Sequence, residues 1–280
     1  MRRSFKKLKD KESFFIADFQ NRFIGDDGAV IENLVYTKDL FFEDIHFKRE
    51  WMSLKDIAVK SMLINISDAI VMNAKVKYAL IGIEIPKDFS LSQMRELYEG
   101  FQEISLKYGF YIVGGDTIAG DKLNISVTLV SETKKPVFRS GTKEGDFAAF
   151  TGNLGSVKKD LTKLLRGGKV SSKSKFIKPV LRDKFFYEIA PFVSSAMDIS
   201  DGLSKDLSRI SLLSGVGFKF LKKFDKNVLC SGEEYEILFT FPPRYMKKIE
   251  NIAKKRKTKI TIFARAVKGG YKSVCKPHHF

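Results

Sequence analysis

Cysteine and histidine are scarce in this sequence, with two and three residues among 280. Cys230 and Cys275 have no metal-ligand spacing and do not make a disulfide scaffold, so two thiols in a reducing cytoplasm are expected. The histidines give no Ser/His/Asp grouping to build on. The adjacent pair His278-His279 reads as tail, not as a metal site, which leaves His46, in Glu43-Asp44-Ile45-His46-Phe47, as the histidine to follow. No apolar run reaches the length of a membrane span, and the start, Met1 to Asp10, is charged and lacks the apolar stretch of a signal peptide. A membrane partner is therefore not expected. The usual phosphate machinery is also missing. No G-x-x-x-x-G-K-[ST] occurs, since Gly167-Gly168-Lys169-Val170 lacks the first glycine and the hydroxyl, and the H-R-D and D-F-G loops are absent. These absences exclude a P-loop nucleotidase and a protein kinase.

What is present is the composition of a soluble globular protein, 44% hydrophobic and 30% charged, long enough for one large domain or two ordinary ones. Fifty basic residues against 33 acidic ones give a formal charge of +17. The basic runs, Lys6 to Lys11 and Lys254 to Lys259, are short, lysine-dominated and without interleaved aromatics. They read as solvated surface that also favours anionic substrates, and no nucleic-acid partner is expected. A nucleic-acid-binding protein is the alternative from another functional class. Salt-sensitive DNA or RNA binding would mark it.

Along the chain, strands and helices alternate. Residues 29–36 and 78–85 read as strands, the second ended by Pro86. Ser53-Leu54-Lys55-Asp56 resembles a capping box opening a helix with Leu54, Ile57, Ala58 and Met62 on one face. Residues 91–108 repeat apolar positions at helical spacing, and 111–113 and 123–130 read as strands. A polar, turn-rich stretch at 131–145 places a boundary between residues 1–135 and 136–280. Beyond it, strands are expected at 146–151, 236–241 and 260–264. Helices are expected after Asp201-Gly202, with Leu203, Leu207, Ile210 and Leu213 on one face, and over 243–257. The apolar strands of the first half exceed the needs of one small core, which suggests a sheet face covered by a second copy.

In a basic protein, clustered aspartates beside small residues are informative. Five clusters stand out: Gly25-Asp26-Asp27-Gly28, Thr37-Lys38-Asp39, Asn65-Ile66-Ser67-Asp68, Gly114-Gly115-Asp116-Thr117 and Asp198-Ile199-Ser200-Asp201-Gly202. Each alone is more easily a turn or a helix cap. Together they supply short, hard oxygen ligands where a phosphate can approach the backbone. Magnesium takes such ligands, and several carboxylates in one place call for more than one divalent cation carrying a polyphosphate.

These motifs, read in order, resemble the thiamine-monophosphate kinase family. They are GDDGAV, Thr-x-Asp followed by IHF, NISDA-x-x-M-x-A, VGGDT, FRSG-x-K-x-GD, MDISDGL-x-x-DL and SGEEYE-x-LF, covering about residues 24 to 241. The superfamily also holds aminoimidazole ribonucleotide synthetase, selenophosphate synthetase and HypE. The resemblance implies an α/β (α+β) two-domain fold like that of aminoimidazole ribonucleotide synthetase, with an N-terminal sheet at a homodimer interface and a mixed α/β C-terminal domain. It implies ATP as co-substrate, several Mg2+ ions, thiamine monophosphate as acceptor and direct in-line transfer without a protein nucleophile. Another phosphate acceptor within the superfamily is the alternative. Asp27, Thr37, Lys38, Asp39, Asp68, Asp116, Asp198 and Asp201 fall at metal positions, Lys38 through a main-chain oxygen. Tyr98, Gly115, Asp116, Arg139 and Ser200 fall at ATP positions, and His46, Glu233 and Phe280 at substrate positions. The chain departs from the family at Lys38, at Asn73 in place of a glycine, and after Gly155, where the usual Ala-rich helix is missing.

Overall fold

The computed structural model describes residues 15–16, 19 and 21–275, so Phe280 and the first basic run lie outside the described residues. In the first half the order is β1 (Ala29–Ile31), β2 (Leu34–Phe42), α1 (Leu54–Val71), β3 (Lys75–Pro86), α2 (Leu91–Tyr108), β4 (Tyr111–Gly120) and β5 (Asn124–Glu132). The second half adds β6 (Phe147–Thr151), α3 (Ser156–Leu165), α4 (Asp183–Ile189), β7 (Ser195–Asp198), α5 (Leu203–Ser214), β8 (Val216–Phe220), α6 (Lys226–Leu229), β9 (Ile237–Phe241), α7 (Met246–Lys255) and β10 (Ile260–Lys268).

Two five-stranded sheets result, ordered β1-β2-β5-β3-β4 and β7-β9-β6-β10-β8. The first is antiparallel except for the β3–β4 pair, and the second is antiparallel throughout. The strand expected over 29–36 is two strands. Glu32 takes a left-handed conformation (φ 56°), so the chain reverses and Ile31 pairs with Leu34. The glycine-rich motif 114–117 lies inside β4 and not in a loop after a strand.

Helix α1 decides how the halves meet. Ser53 caps it by accepting from the Asp56 N–H at 3.1 Å, as its sequence announces. Its expected single apolar face is not what is found, because 15 of its 18 residues are buried. It packs on β2 and β5 on one side, on α2 on another, and on β7 and α4 of the second half. A helix covered all round needs apolar residues all round. Helix α2 is the amphipathic one, closed by a Ser90–Gln93 capping box and by Gly109 at φ 68°.

The second sheet is covered on both faces. Leu203, Leu207 and Ile210 of α5 pack with Met197, Leu238 and Phe263, whereas Phe185, Phe186 and Ile249 of α4 and α7 pack with Phe239 and Phe241. Neighbours Leu238 and Phe239 thus serve opposite faces, as the strand period requires. Two further expectations are corrected. A helix, α3, does follow the glycines at 152–155, built on lysine and leucine in place of alanine. The two cysteines are joined as Cys230–Cys275, with Cα atoms 5.6 Å apart. Folding brings the segment after β10 back to α5, where the Tyr271 hydroxyl meets Ser204 Oγ at 2.7 Å, and so beside the end of α6. Nothing in their spacing signals this.

Candidate active site

A cleft of about 380 Å³ is lined by residues of both halves, among them Asp26, Asp27, Asp39, Asp68, Arg139 and Asp198. Asp27 comes from the turn before β1, Asp68 from the last turn of α1, and Asp198 from the end of β7. One oxygen of each of Asp27, Asp68 and Asp198 lies within 4.8 Å of the other two. Ser67 Oγ donates to Asp198 Oδ2 at 2.8 Å, which fixes α1 against β7 at this point. Arg139 holds the opposite side. Its Nη2 donates to Asp27 Oδ1 at 2.6 Å and its backbone N–H to Asp26 Oδ1 at 2.6 Å.

Burial and mutual repulsion set the electrostatics. Burial, and then the Asp27 charge, push the Asp39 carboxyl up to about 6. Asp68 is raised well above the usual carboxylate range by burial and then by Asp39 and Asp198. Asp198 is raised by burial and by Asp27, against the lowering effect of Ser67. Burial works against the Arg139 charge, but Asp27, Asp68 and Asp26 together hold it more firmly protonated than usual. Asp26, Asp27, Asp68 and Asp198 thus share one arginine, and Asp27 Oδ2 is buried with no hydrogen-bond partner among the described residues.

Beside this group Asp201 is held by Lys205 Nζ at 3.0 Å and Arg209 Nη2 at 2.5 Å. Arg209 Nη1 also reaches Asp206 at 2.8 Å, and burial pushes the Asp206 carboxyl up to about 7 against the pull of Arg209. Gly202, at φ 104°, lets the turn after Asp201 pass the Cys230 backbone, where a Cβ would sit 3.2 Å from main-chain atoms.

Ser200, His46 and Glu233 also line the cleft. The Phe42 N–H donates to His46 Nδ1 at 3.0 Å, so the ring proton of a neutral imidazole sits on Nε2. Glu233 stands at φ 53°, its N–H donating to Ser200 O at 2.7 Å, and its carboxylate pairs with Lys60 Nζ at 2.8 Å.

Among the other expected residues Lys38 lines the cleft, and Thr37, Tyr98, Gly115 and Asp116 do not. Thr37 is buried under the sheet with its hydroxyl on Asn65 Oδ1, one strand position from the cleft. Lys38 lines the cleft, but its ammonium donates to Ser126 Oγ and Thr128 Oγ1 on the other face of β2. Tyr98 is 61% exposed on α2 and does not line the cleft. Gly115 and Asp116 sit on β4 at the edge of the sheet. Register runs Asp39–Val127–Ile81–Gly115 and Leu40–Ser126–Gly82–Asp116, so three strand spacings, roughly 14 Å, separate them from β2. Gly115 is also demanded by packing, since a Cβ there would lie 1.8 Å from Ile81 O.

Comparison with known proteins places this arrangement. Residues 25–133 match the family model "AIR synthase related protein, N-terminal domain". Thiamine-monophosphate kinase of Aquifex aeolicus is 30% identical over 269 residues, covering 84% of this chain and 88% of that one. The kinase of that name from Buchnera aphidicola is 32% identical, over 85% of this chain and 82% of its own. The chain belongs to the thiamine-monophosphate kinase family. Among solved structures, "AaThiL complexed with AMPPCP and TMP" superposes with a TM-score of 0.83 at 26% identity, covering 97% of this chain and 98% of the other. The mixed α/β fold with two sheets is thus the fold of this family.

Several residues that line or support the cleft have no role assigned from the sequence: Asp26 and Tyr235, which lie inside quoted motifs, Arg209 and, behind Glu233, Lys60. Lys60 leaves a trace in the sequence, as the one cation in the otherwise apolar or small run Ile57 to Ile64.

Proposed function

We propose that this chain transfers the γ-phosphoryl group of ATP to thiamine monophosphate, yielding thiamine diphosphate. Family membership supports the reading, as does the likeness to a chain crystallised with AMPPCP and TMP. The observation that carries it is the Asp27, Asp68 and Asp198 group facing Arg139.

The carboxylates fit divalent cations. Their ligand atoms are all oxygen and lie close enough to share an ion, burial and repulsion leave them reluctant to ionise alone, and Asp27 keeps a buried oxygen without a partner among the described residues. Mg2+ held by Asp27, Asp39, Asp68 and Asp198, with Asp201 at the margin, would neutralise triphosphate charge. Arg139 Nε is buried with no protein acceptor among the described residues, a donor left for a phosphate oxygen. Arg139 thus orients the anion while Nη2 stays on Asp27. Ser200 and the backbone beside it line the same wall, and His46 and Glu233 supply the polar contacts to the acceptor. No side-chain nucleophile is needed, because positioning and charge neutralisation suffice for in-line transfer between two phosphates.

A homodimer, dividing each chain into residues 1–135 and 136–280, belongs to this reading. The face of the first sheet away from α1 leaves Leu40, Tyr78, Leu80 and Ile118 exposed. Asp116 and Gly115 are too far along the sheet to reach the cleft of their own chain, and Tyr98, exposed on α2, does not line it, so all three act in the site of a second copy. The test is ADP formation followed with and without thiamine monophosphate, in Mg2+ and in EDTA. Turnover dependent on both acceptor and metal is expected, and acceptor-independent ATP hydrolysis would overturn the assignment.

A further inference from the structure

Lys60 is fully buried, an unusual place for an ammonium. Its Nζ lies 2.8 Å from Glu233 Oε2, 4.0 Å from the centre of the Phe176 ring and 5.4 Å from that of Phe41. Trp51 backs Phe176, and Phe47 stacks on Phe41. Desolvating this cation is costly, and among the described residues one carboxylate together with two ring faces offsets the cost. Lys60 belongs to the first half of the chain, whereas Phe176 and Glu233 belong to the second.

Seen from Glu233, the contact divides the carboxylate. Oε2 is occupied by Lys60, while Oε1 has no protein donor among the described residues and the side chain is 23% exposed at the cleft. The backbone is fixed as well, by the left-handed φ of 53° and by the bond from Glu233 N to Ser200 O. A glutamate on a loop otherwise has three side-chain torsions to lose on binding a ligand.

We propose that Lys60 is a specificity-determining positioning residue. It locks Glu233 so that Oε1 alone faces the acceptor substrate, and it cancels the Glu233 charge. The pair then recognises an N–H or O–H donor of the substrate by an oriented hydrogen bond and not as a counter-charge to a cation. The inference rests on the assignment of Glu233 to the acceptor site above.

Steady-state kinetics on Lys60→Met, Glu233→Gln and the double variant test it. Lys60→Met keeps the length and apolar stem but removes the ammonium. It is expected to raise KM for thiamine monophosphate about ten-fold, with KM for ATP and kcat changing less than about three-fold. The double variant is expected to match Glu233→Gln alone within about two-fold, because both substitutions act through one contact. Glu233→Gln should also restore thermal stability lost in Lys60→Met, since it removes the carboxylate left unpaired. A purely structural Lys60 predicts lower stability with both KM values moving together or not at all, and either result overturns the proposal. If Lys60→Met does not fold, Lys60→Gln, which keeps a donor, is measured instead. It is expected to raise the acceptor KM by a smaller factor at unchanged ATP KM, and an unchanged acceptor KM overturns the proposal. Should Glu233→Gln itself leave the acceptor KM unaltered, the assignment of Glu233 fails. A raised KM in Glu233→Gln with none in Lys60→Met sinks the role of Lys60 alone.

Discussion

Asp68 concentrates the electrostatic conflict of the cleft. It sits in the last turn of a helix buried on every side, among Asp27, Asp39 and Asp198, with Arg139 as the shared counter-charge. A residue kept for metal binding at the expense of the metal-free fold has a simple diagnostic. Asp68→Asn is expected to stabilise the protein in EDTA near pH 7.5, because it removes one carboxyl from a buried, mutually repelling group. The same change should lower turnover in Mg2+ by about 100-fold or more. Thermal melts in EDTA beside the ADP assay check both halves. A loss of stability with full activity would make Asp68 a helix-end residue only. Its neighbour Asp201 lies in a different balance, between Lys205 and Arg209. Asp201→Asn is expected to abolish turnover while the fold survives, and near-normal activity at saturating Mg2+ would reduce it to a partner of those two cations.

At the scale of elements, the wall formed by the turn after β7 and the loop before β9 is tied from outside. Cys230 ends α6, touches Gly202 and is bonded to Cys275 in the segment after β10. Forty-five residues separate the two cysteines, so the bridge limits the unfolded chain considerably. Cys275→Ser is expected to lower stability by about 2–4 kcal/mol. Reductant should bring the wild-type melt down to that of the variant, and should not shift the variant. Identical melts with and without reductant in the wild type would show that the bridge adds nothing.

For the whole molecule, the raised carboxylates predict how stability follows pH without metal. Asp39 at about 6 and Asp206 at about 7 bind protons more tightly folded than unfolded. Their stabilising contribution is complete below the unfolded value near 3.9 and is lost as pH rises through about 6 to 7. Glu236, lowered against burial by Arg182 and Lys175, acts the other way, but only below its ordinary range. In EDTA the melting temperature should therefore rise as pH falls from about 7.5 to 5.5, and Mg2+ at pH 7.5 should recover the difference. A flat profile would mean that the cluster carries no such repulsion. Assembly is the second whole-molecule property. Sedimentation should give a dimer at micromolar concentration, and Leu80→Asp on the open sheet face should give a monomer with little turnover. A monomeric wild type with full activity would rule out a shared site.

The sequence by itself determined much of this protein. Helix α2, with its apolar period, the strands β5, β6 and β9, and the aspartate motifs are local facts, legible because spacing and turn chemistry act over a few residues. Arg139, Asp68 and Asp198 stand out by their motifs alone. Tertiary structure decided the rest. It buried α1 on all sides, because a helix between two sheets has no solvent face. It sent Thr37 to Asn65 and Lys38 to Ser126 and Thr128, because adjacent residues of a strand face opposite ways. It set Asp116 three strands from Asp39, since sheet order is not chain order. The pairs Lys60–Glu233 and Cys230–Cys275 join residues far apart in the chain, and such contacts are fixed only when the core that brings them together has formed.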